Sequence, residues 1–262
     1  MSIRRILVAN RGEIAARIIR TCRKLNLETV LAASEADRDS LPARLATRTL
    51  CIGPAHPTAS YLKPELQLQA ALGTGCDAIH PGYGFLSERA AFARLCEQHG
   101  ITFIGPTAEQ LAIAGDKLAA RAAAQAVDVP LVPGGEAPSR EVARELAARI
   151  GLPLLVKAAG GGGGRGMMRV ERAEDLDAAL ELAGAEAGAA FGDARVYLER
   201  FVARARHIEV QVLGDGAGNL VHLGERDCSV QRRYQKLIEE TPAPGIPGAL
   251  RSRLHDAALR FW

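Results

Sequence analysis

The chain has 262 residues, 48% of them hydrophobic, enough for one large domain or for two to three small ones with sizeable cores. Its 33 Lys plus Arg against 30 Asp plus Glu leave a net charge of only +3, too small an excess to make nucleic acid or a membrane surface the main partner. Five widely spaced cysteines without a C-x-x-C argue against disulfides and zinc, and no apolar run is long enough to span a bilayer. The N-terminus enters a strand at once, with no signal-peptide pattern, so reduced thiols and a cytoplasmic setting are expected.

Residues 3–8, Ile-Arg-Arg-Ile-Leu-Val, read as a buried strand. Gly12 to Leu25 follows as a helix with Ile14, Ile18 and Leu25 on its apolar face. Strand Thr29–Ala33, a helix near Leu41–Ala46, strand Thr49–Ile52, helix Pro64–Leu72, strand Ala78–Ile79, helix Glu88–His99 and strand Thr102–Ile104 continue the alternation. This spacing predicts a Rossmann-like parallel-sheet unit over residues 1–105. Its first turn, Ala9-Asn-Arg-Gly-Glu13, offers only Gly12 where a dinucleotide fold wants G-x-G-x-x-G, so a nicotinamide or flavin dehydrogenase is not expected. His80-Pro-Gly-Tyr-Gly-Phe-Leu-Ser-Glu88 leaves the carboxyl end of a strand, where open sheets place ligands. Its glycines predict a tight turn that lifts Tyr83, which makes Tyr83 and Gly84 candidates for function and Ser87 a cap for the next helix.

Residues 106–130 read as a helical linker. Thr107 is a plausible N-cap, and Gly115-Asp-Lys117 opens a helix to about Ala126. Val129–Pro138, rich in proline and glycine, reads as a boundary. Helix Arg140–Ile150, strand Leu154–Lys157, strand Met167–Val170 and helix Ala173–Gly188 make a small α+β unit, 131–202, of a size that suits a mobile lid. Between its two strands run five glycines, Gly160 to Gly164, then Arg165 and Gly166. Glycines let a loop wrap closely and aim consecutive N–H groups at one anion, and Lys157 can add a full charge there. A flexible linker is the plainer alternative. Placement between two strands favours a phosphate-cradling hairpin, and no Lys-Ser or Lys-Thr follows to make a kinase-type loop.

Arg195–Phe201 is a strand leaving the lid. Arg206–Leu213 then alternates, with His207, Glu209 and Gln211 on one face and Ile208, Val210 and Val212 on the other. A turn at 214–218 and a return strand Leu220–Gly224 start a mainly antiparallel α+β domain at residue 203. Glu225–Glu240 is dense in functional side chains, but its periodicity gives only a surface helix or loop. Leu250–Trp262 is an amphipathic helix whose apolar face runs to the last residue, so the natural chain is expected to continue. Only five of the 33 basic residues are lysine, and three of these, Lys117, Lys157 and Lys236, fall in the stretches singled out here. Lysine supplies a compact, movable point charge where arginine supplies a rigid fork.

Taken together, Ile6–Ile14, His80–Glu88, Gly115–Lys117, Lys157–Met167, Arg206–Leu213 and Glu225–Lys236 resemble, in order, the N-terminal part of biotin carboxylase, the ATP-grasp component of acyl-CoA and pyruvate carboxylases. The resemblance implies an ATP-grasp lid at 131–202 and an incomplete C-terminal ATP-grasp domain from 203. It implies that bicarbonate attacks the γ-phosphate of ATP to give carboxyphosphate, and that the carboxyl group then passes to biotin on a carrier protein or domain. Carried over residue by residue, Lys117 and Lys157 bind phosphates, Gly163 and Gly164 lie in the closing loop, and the backbone of Glu199, Arg200, Phe201 and Val202 holds adenine. His207 and Tyr234 contact the nucleotide, Lys236 and Gln231 hold bicarbonate, and Tyr83 and Gly84 lie near biotin. At Tyr234 the family usually has histidine; tyrosine keeps a hydroxyl but no imidazole that ionises near neutral pH. By the same resemblance the Mg²⁺-binding glutamates fall beyond Trp262, so Glu225, Asp227, Glu239 and Glu240 are expected to stabilise the local fold, and the chain alone is expected to turn over no ATP. A carboxyltransferase and a homodimeric state are implied partners. Another ATP-grasp ligase, or a nucleotide-binding regulator that has lost its chemistry, are the competing readings.

Overall fold

The computed structural model describes residues 3–160, 167–232 and 235–262. Two compact units, Met1–Ala114 and Gly115–Trp262, make up the chain.

The first unit is built on strands β1 (Arg5–Val8), β2 (Glu28–Ala33), β3 (Arg48–Cys51), β4 (Ala78–His80) and β5 (Thr102–Phe103), in the sheet order β3-β2-β1-β4-β5. Every pairing is parallel. Both faces are covered, which is why these strands read as continuous apolar runs. Ile6, Val8, Leu31 and Ala33 meet Ala15, Ile18, Ile19 and Cys22 of α1 (Gly12–Lys24), with α2 (Leu41–Leu45) beside them. Leu7, Val30 and Ile79 face the other way, onto Leu68 and Ala71 of α3 (Pro64–Gly73) and Phe92 and Cys96 of α4 (Ala90–Gln98). Each fully buried Ile or Leu here contributes about 1.5–3 kcal/mol. Helix α5 (Ala108–Gly115) packs Ala108 and Leu111 on Ala93. Thr107 caps it reciprocally with Gln110, each backbone N–H meeting the other's side chain at 2.9 and 3.2 Å.

Ser87 is not the cap of α4. That helix starts at Ala90 with Arg89 in the cap position and no side-chain cap. Phe85 sits at φ 46°, and turns closed by Ser87 N–H to Gly84 O and Arg89 N–H to Leu86 O hold the chain in a loop for longer than the pattern suggests.

The second unit opens with α6 (Lys117–Ala126), capped by Asp116, whose carboxylate accepts from the N–H groups of Leu118 and Ala119. Next come β6 (Gly134–Glu136), α7 (Arg140–Ile150), β7 (Leu154–Ala158), β8 (Met167–Val170), α8 (Leu176–Phe191) and β9 (Val196–Arg200). Their antiparallel sheet has the order β6-β9-β7-β8. Leu146, Ile150, Leu154, Val156, Leu176 and Leu198 form its core. The unit ends in β10 (Ile208–Gly214), β11 (Leu220–Arg232), β12 (Gln235–Glu240) and α9 (Gly248–Phe261), the three strands forming an antiparallel sheet in chain order.

Two further expectations change. Residues 134–136 are a strand, hidden in sequence because two glycines carry no strand signal; a Cβ on Gly134 would lie 2.3 Å from the Leu198 carbonyl oxygen. The strand expected at Arg195–Phe201 is β9, which lies inside the sheet of the 131–202 unit, between β6 and β7. The described residues of the Glu225–Glu240 stretch are strand, not helix or loop: Glu225–Arg232 belong to β11 and Gln235–Glu240 are β12. Its charged residues pair across strands, so apolar periodicity could not reveal it. No helix among the described residues is long and apolar enough to cross a membrane, and all five cysteines are free thiols.

Candidate functional site

Two lysines meet at the lid sheet. Lys157 is in β7, facing Tyr197 of β9 in register, and its ammonium lies 5.8 Å from the Tyr197 ring centre. Its partner is Glu199, two residues further along β9, whose Oε2 accepts from Lys157 Nζ. The other oxygen, Oε1, accepts from Arg121 of α6 at 3.3 Å, and the same guanidinium donates to the Val132 carbonyl at 2.9 Å. Lys117, the first residue of α6, donates from Nζ to the carbonyls of Ala158 and Gly160, both at 3.4 Å. Burial and then repulsion by Lys157 lower the pKa of the Lys117 ammonium. Two cations thus gather where β7 runs out toward the glycine stretch. Glu199 therefore does more than offer a backbone: its carboxylate holds the Lys157 amine. Just after it, the N–H of Arg200 bonds Pro133 O at 2.9 Å and that of Phe201 bonds Pro153 O at 3.1 Å. Val202 is exposed. Arg169 of β8 stacks its guanidinium 4.0 Å from the Phe201 ring centre.

The second cluster lies on one face of the three-stranded sheet. Glu209 and Arg226 face each other in the β10–β11 register, and Gln231 and Lys236 do so between β11 and β12. Glu209 is the hub. It accepts from Arg226 Nε at 2.8 Å and from Lys236 Nζ at 2.5 Å, and His207 Nε2 stands 3.7 Å away. Burial alone would raise its pKa, but the bonds from Lys236 and Arg226 outweigh that and hold it below the ordinary value. The Lys236 pKa is raised in turn, chiefly by the bond to Glu209. Gln231 Nε2 lies 2.7 Å from both His207 Nδ1 and the Cys228 carbonyl. His207, Gln231 and Lys236 are thereby brought together, where the alternation of 206–213 had placed only His207, Glu209 and Gln211 on one face. Glu209, which the alternation placed on the His207 face, and Arg226, which sequence reasoning did not choose, are what holds them; the signal for Arg226 was the facing polar residues of two adjacent strands.

Other carboxylates nearby are committed to the fold. Glu225, 1% exposed, takes Arg251 on one oxygen at 2.6 Å and His255 on the other at 2.7 Å, fastening α9 to β11. Asp227 takes Arg206 at 2.7 Å and the backbone N–H of Ser229 at 2.9 Å. Among the described residues no group of three or more His, Cys, Asp or Glu could hold a metal ion.

In the first unit, Asn10 is buried at the end of β1 and donates from Nδ2 to the carbonyls of Pro81 at 2.7 Å and Tyr83 at 2.9 Å. Gly82, at φ 66°, must be glycine: a Cβ would meet Ile14 Cγ2 at 2.6 Å. Tyr83 is lifted by this turn, 64% exposed, with its hydroxyl on Glu13. Gly84 follows at φ 74°. Gly163, Gly164 and Tyr234 lie outside the described residues.

Residues 2–111 match the model of the biotin carboxylase N-terminal domain, and residues 116–262 match that of the carbamoyl-phosphate synthase L chain ATP-binding domain. The chain is 52% identical over 247 residues to a biotin carboxylase of Pseudomonas aeruginosa, covering 93% of this chain and 55% of that one. It superposes with a TM-score of 0.95 and 47% identity on a Campylobacter jejuni biotin carboxylase in a β,γ-ATP complex, covering 99% of this chain and 59% of that one. On the biotin carboxylase domain dimer of Hydrogenobacter thermophilus 2-oxoglutarate carboxylase, with MgADP, ADP and bicarbonate, the TM-score is 0.93 at 42% identity, covering 100% of this chain and 58% of that one. The chain spans between half and three-fifths of the length of these relatives.

Proposed function

Because the chain belongs to the biotin carboxylase family, we propose that it carries the ATP- and bicarbonate-handling part of an enzyme that carboxylates carrier-bound biotin. The observation that carries this reading is the polar face on which Lys236, Gln231 and His207 are interlocked around Glu209 and Arg226. The lysine pair Lys117 and Lys157 belongs to the same unit.

Phosphoryl transfer needs charge neutralisation and alignment more than covalent help. In this reading Lys117 and Lys157 neutralise the phosphates of ATP, with Gly163 and Gly164 in the loop that closes over them. The hinge of Glu199, Arg200, Phe201 and Val202 receives adenine. Since the N–H groups of Arg200 and Phe201 are already bonded, Val202 is the hinge residue with a donor to give. Lys236 draws bicarbonate by charge and Gln231 donates to it, which fixes the attacking oxygen and raises its effective concentration. Attack on the γ-phosphorus forms the new O–P bond and expels ADP, giving carboxyphosphate, whose carboxyl carbon then goes to a biotin nitrogen and releases phosphate. Tyr83 and Gly84 are the residues offered to biotin. His207 and Tyr234 are assigned to the nucleotide.

Among the described residues no carboxylate group is arranged to hold Mg²⁺, and Glu225 and Asp227 are consumed by Arg251, His255 and Arg206. Partners in this reading are a biotin carboxyl carrier protein or domain, a carboxyltransferase and a second copy, in the cytoplasm. The test is bicarbonate-dependent ATP hydrolysis by the intact protein, with and without free biotin. Stimulation by biotin is expected; hydrolysis indifferent to both bicarbonate and biotin would point to another ATP-grasp ligase.

A further inference from the structure

We propose that Arg121 is a positioning residue that keeps the Lys157 charge available to phosphate by sharing its counter-ion. This rests on the reading that Lys157 meets the phosphates of ATP. Lys157 is not a lone amine awaiting an anion; it is already bound to Glu199. A lysine and a single carboxylate cancel, and a cancelled pair attracts phosphate weakly. Arg121 changes that sum. It takes the second oxygen of Glu199, so two cations share one anion and the group keeps one positive charge. All three side chains are half-buried or better, at 19% for Arg121, 14% for Glu199 and 22% for Lys157, so water screens them less than a surface pair.

The geometry makes the sharing durable. Arg121 is tethered by a second bond to the Val132 carbonyl, which lies in the segment leading into β6. It stands one turn after Lys117 on α6, so the helix that presents one phosphate lysine also braces the counter-ion of the other. Glu199 is in β9, paired to both β6 and β7. When phosphate arrives, Lys157 can turn from Glu199 to the ligand without leaving that carboxylate stranded, because Arg121 remains on it. Without Arg121, the departure of Lys157 would leave a half-buried carboxylate unpaired beside a polyanion.

The test compares ATP with adenosine, by calorimetry, on the intact wild-type protein and on Arg121→Met, Arg121→Lys and Lys157→Met. Adenosine uses the hinge but carries no phosphate. Arg121→Met is expected to weaken ATP binding about tenfold, the effect of one charge at short range in a partly screened site, and to leave adenosine unchanged. Arg121→Lys is expected to restore most of the ATP affinity. The proposal is overturned if Arg121→Met leaves ATP binding intact, if it weakens ATP and adenosine alike, or if Arg121→Lys is as weak as Arg121→Met. Lys157→Met separates the two levels. A loss of ATP affinity there with none in Arg121→Met sinks the role of Arg121 alone, whereas no loss in Lys157→Met sinks the phosphate reading of that lysine with it.

Discussion

The lid sheet and the three-stranded sheet hold their key lysines in the same way but at different depths. Lys157 and Arg121 share Glu199, with exposures of 14–22%; Lys236 and Arg226 share Glu209, at 25–35%. In both, one carboxylate orients a lysine while an arginine takes part of its charge, so the lysine is fixed without being neutralised. The difference in depth fits the two ligands proposed for these clusters. A polyphosphate needs a weakly screened, concentrated field, whereas a small monoanion that must react is better served by a more open amine. Glu225 supplies the contrast. It too serves two nitrogen groups, Arg251 and His255, but no lysine, and it ties a helix to a sheet.

The largest effect is expected where a lysine itself is removed. Lys236→Ala should lower bicarbonate-dependent ATP turnover by about 10²–10³-fold, the range for losing one fixed charge-stabilising donor, while ATP affinity by calorimetry changes little. Retained turnover would break the parallel between the two lysines.

Removing a hub should cost less and should be selective. Glu209→Gln keeps the shape but frees Lys236 and Arg226, so we expect the bicarbonate KM to rise about tenfold through lost orientation with the ATP KM nearly constant. A change in the ATP KM alone would reverse the assignment of the two sheets.

The Glu225 cluster should respond to acid. Burial opposes its charge, yet the bonds from His255 and Arg251 win and hold its pKa at about 2 against an ordinary 4.5. Asp227 is likewise held at about 2 against 3.8, by Ser229 and Arg206. A depressed folded pKa means that the stabilisation is complete above the unfolded value and is lost as pH falls through the folded one. The docking of α9 should therefore loosen between about pH 4.5 and 2. Trp262, the sole tryptophan and next to the end of α9, gives the fluorescence signal. Glu225→Gln should lower the melting temperature at neutral pH and flatten that acid response; an unchanged titration would remove Glu225 from the contrast.

The smallest effect is expected at the helix start behind the lid lysines. Asp116→Ala removes the cap of α6 and one of the two carboxylate partners of Arg195, Asp193 remaining, at a cost of about 1 kcal/mol, measured by urea unfolding.

Much of this was legible in the residues. Apolar runs separated by amphipathic helices disclosed the parallel sheet of the first unit, because strands buried on both faces are continuous hydrophobic segments. Lys117, Lys157 and Lys236 fell in stretches singled out on other grounds, and the scarcity of lysine in this chain supported the choice. The segment 225–240 was not legible as strand, since its residues are stabilised by charge pairs from neighbouring strands and carry no apolar period of their own. Gly134–Glu136 was missed for a related reason: it is a strand defined by close backbone approach to β9, which only glycine permits.

The order of residues by itself determined the alternating α/β unit, the two strands that flank the glycine run and the identity of the basic residues, because hydrophobic period and glycine content act over a few neighbouring positions. Tertiary structure alone decided which carboxylate each lysine meets. Lys157 and Glu199 are 42 positions apart, Arg121 and Glu199 78 apart and Lys236 and Glu209 27 apart. Electrostatic partnership depends on distance in space and on the water between charges, and neither is written in local sequence.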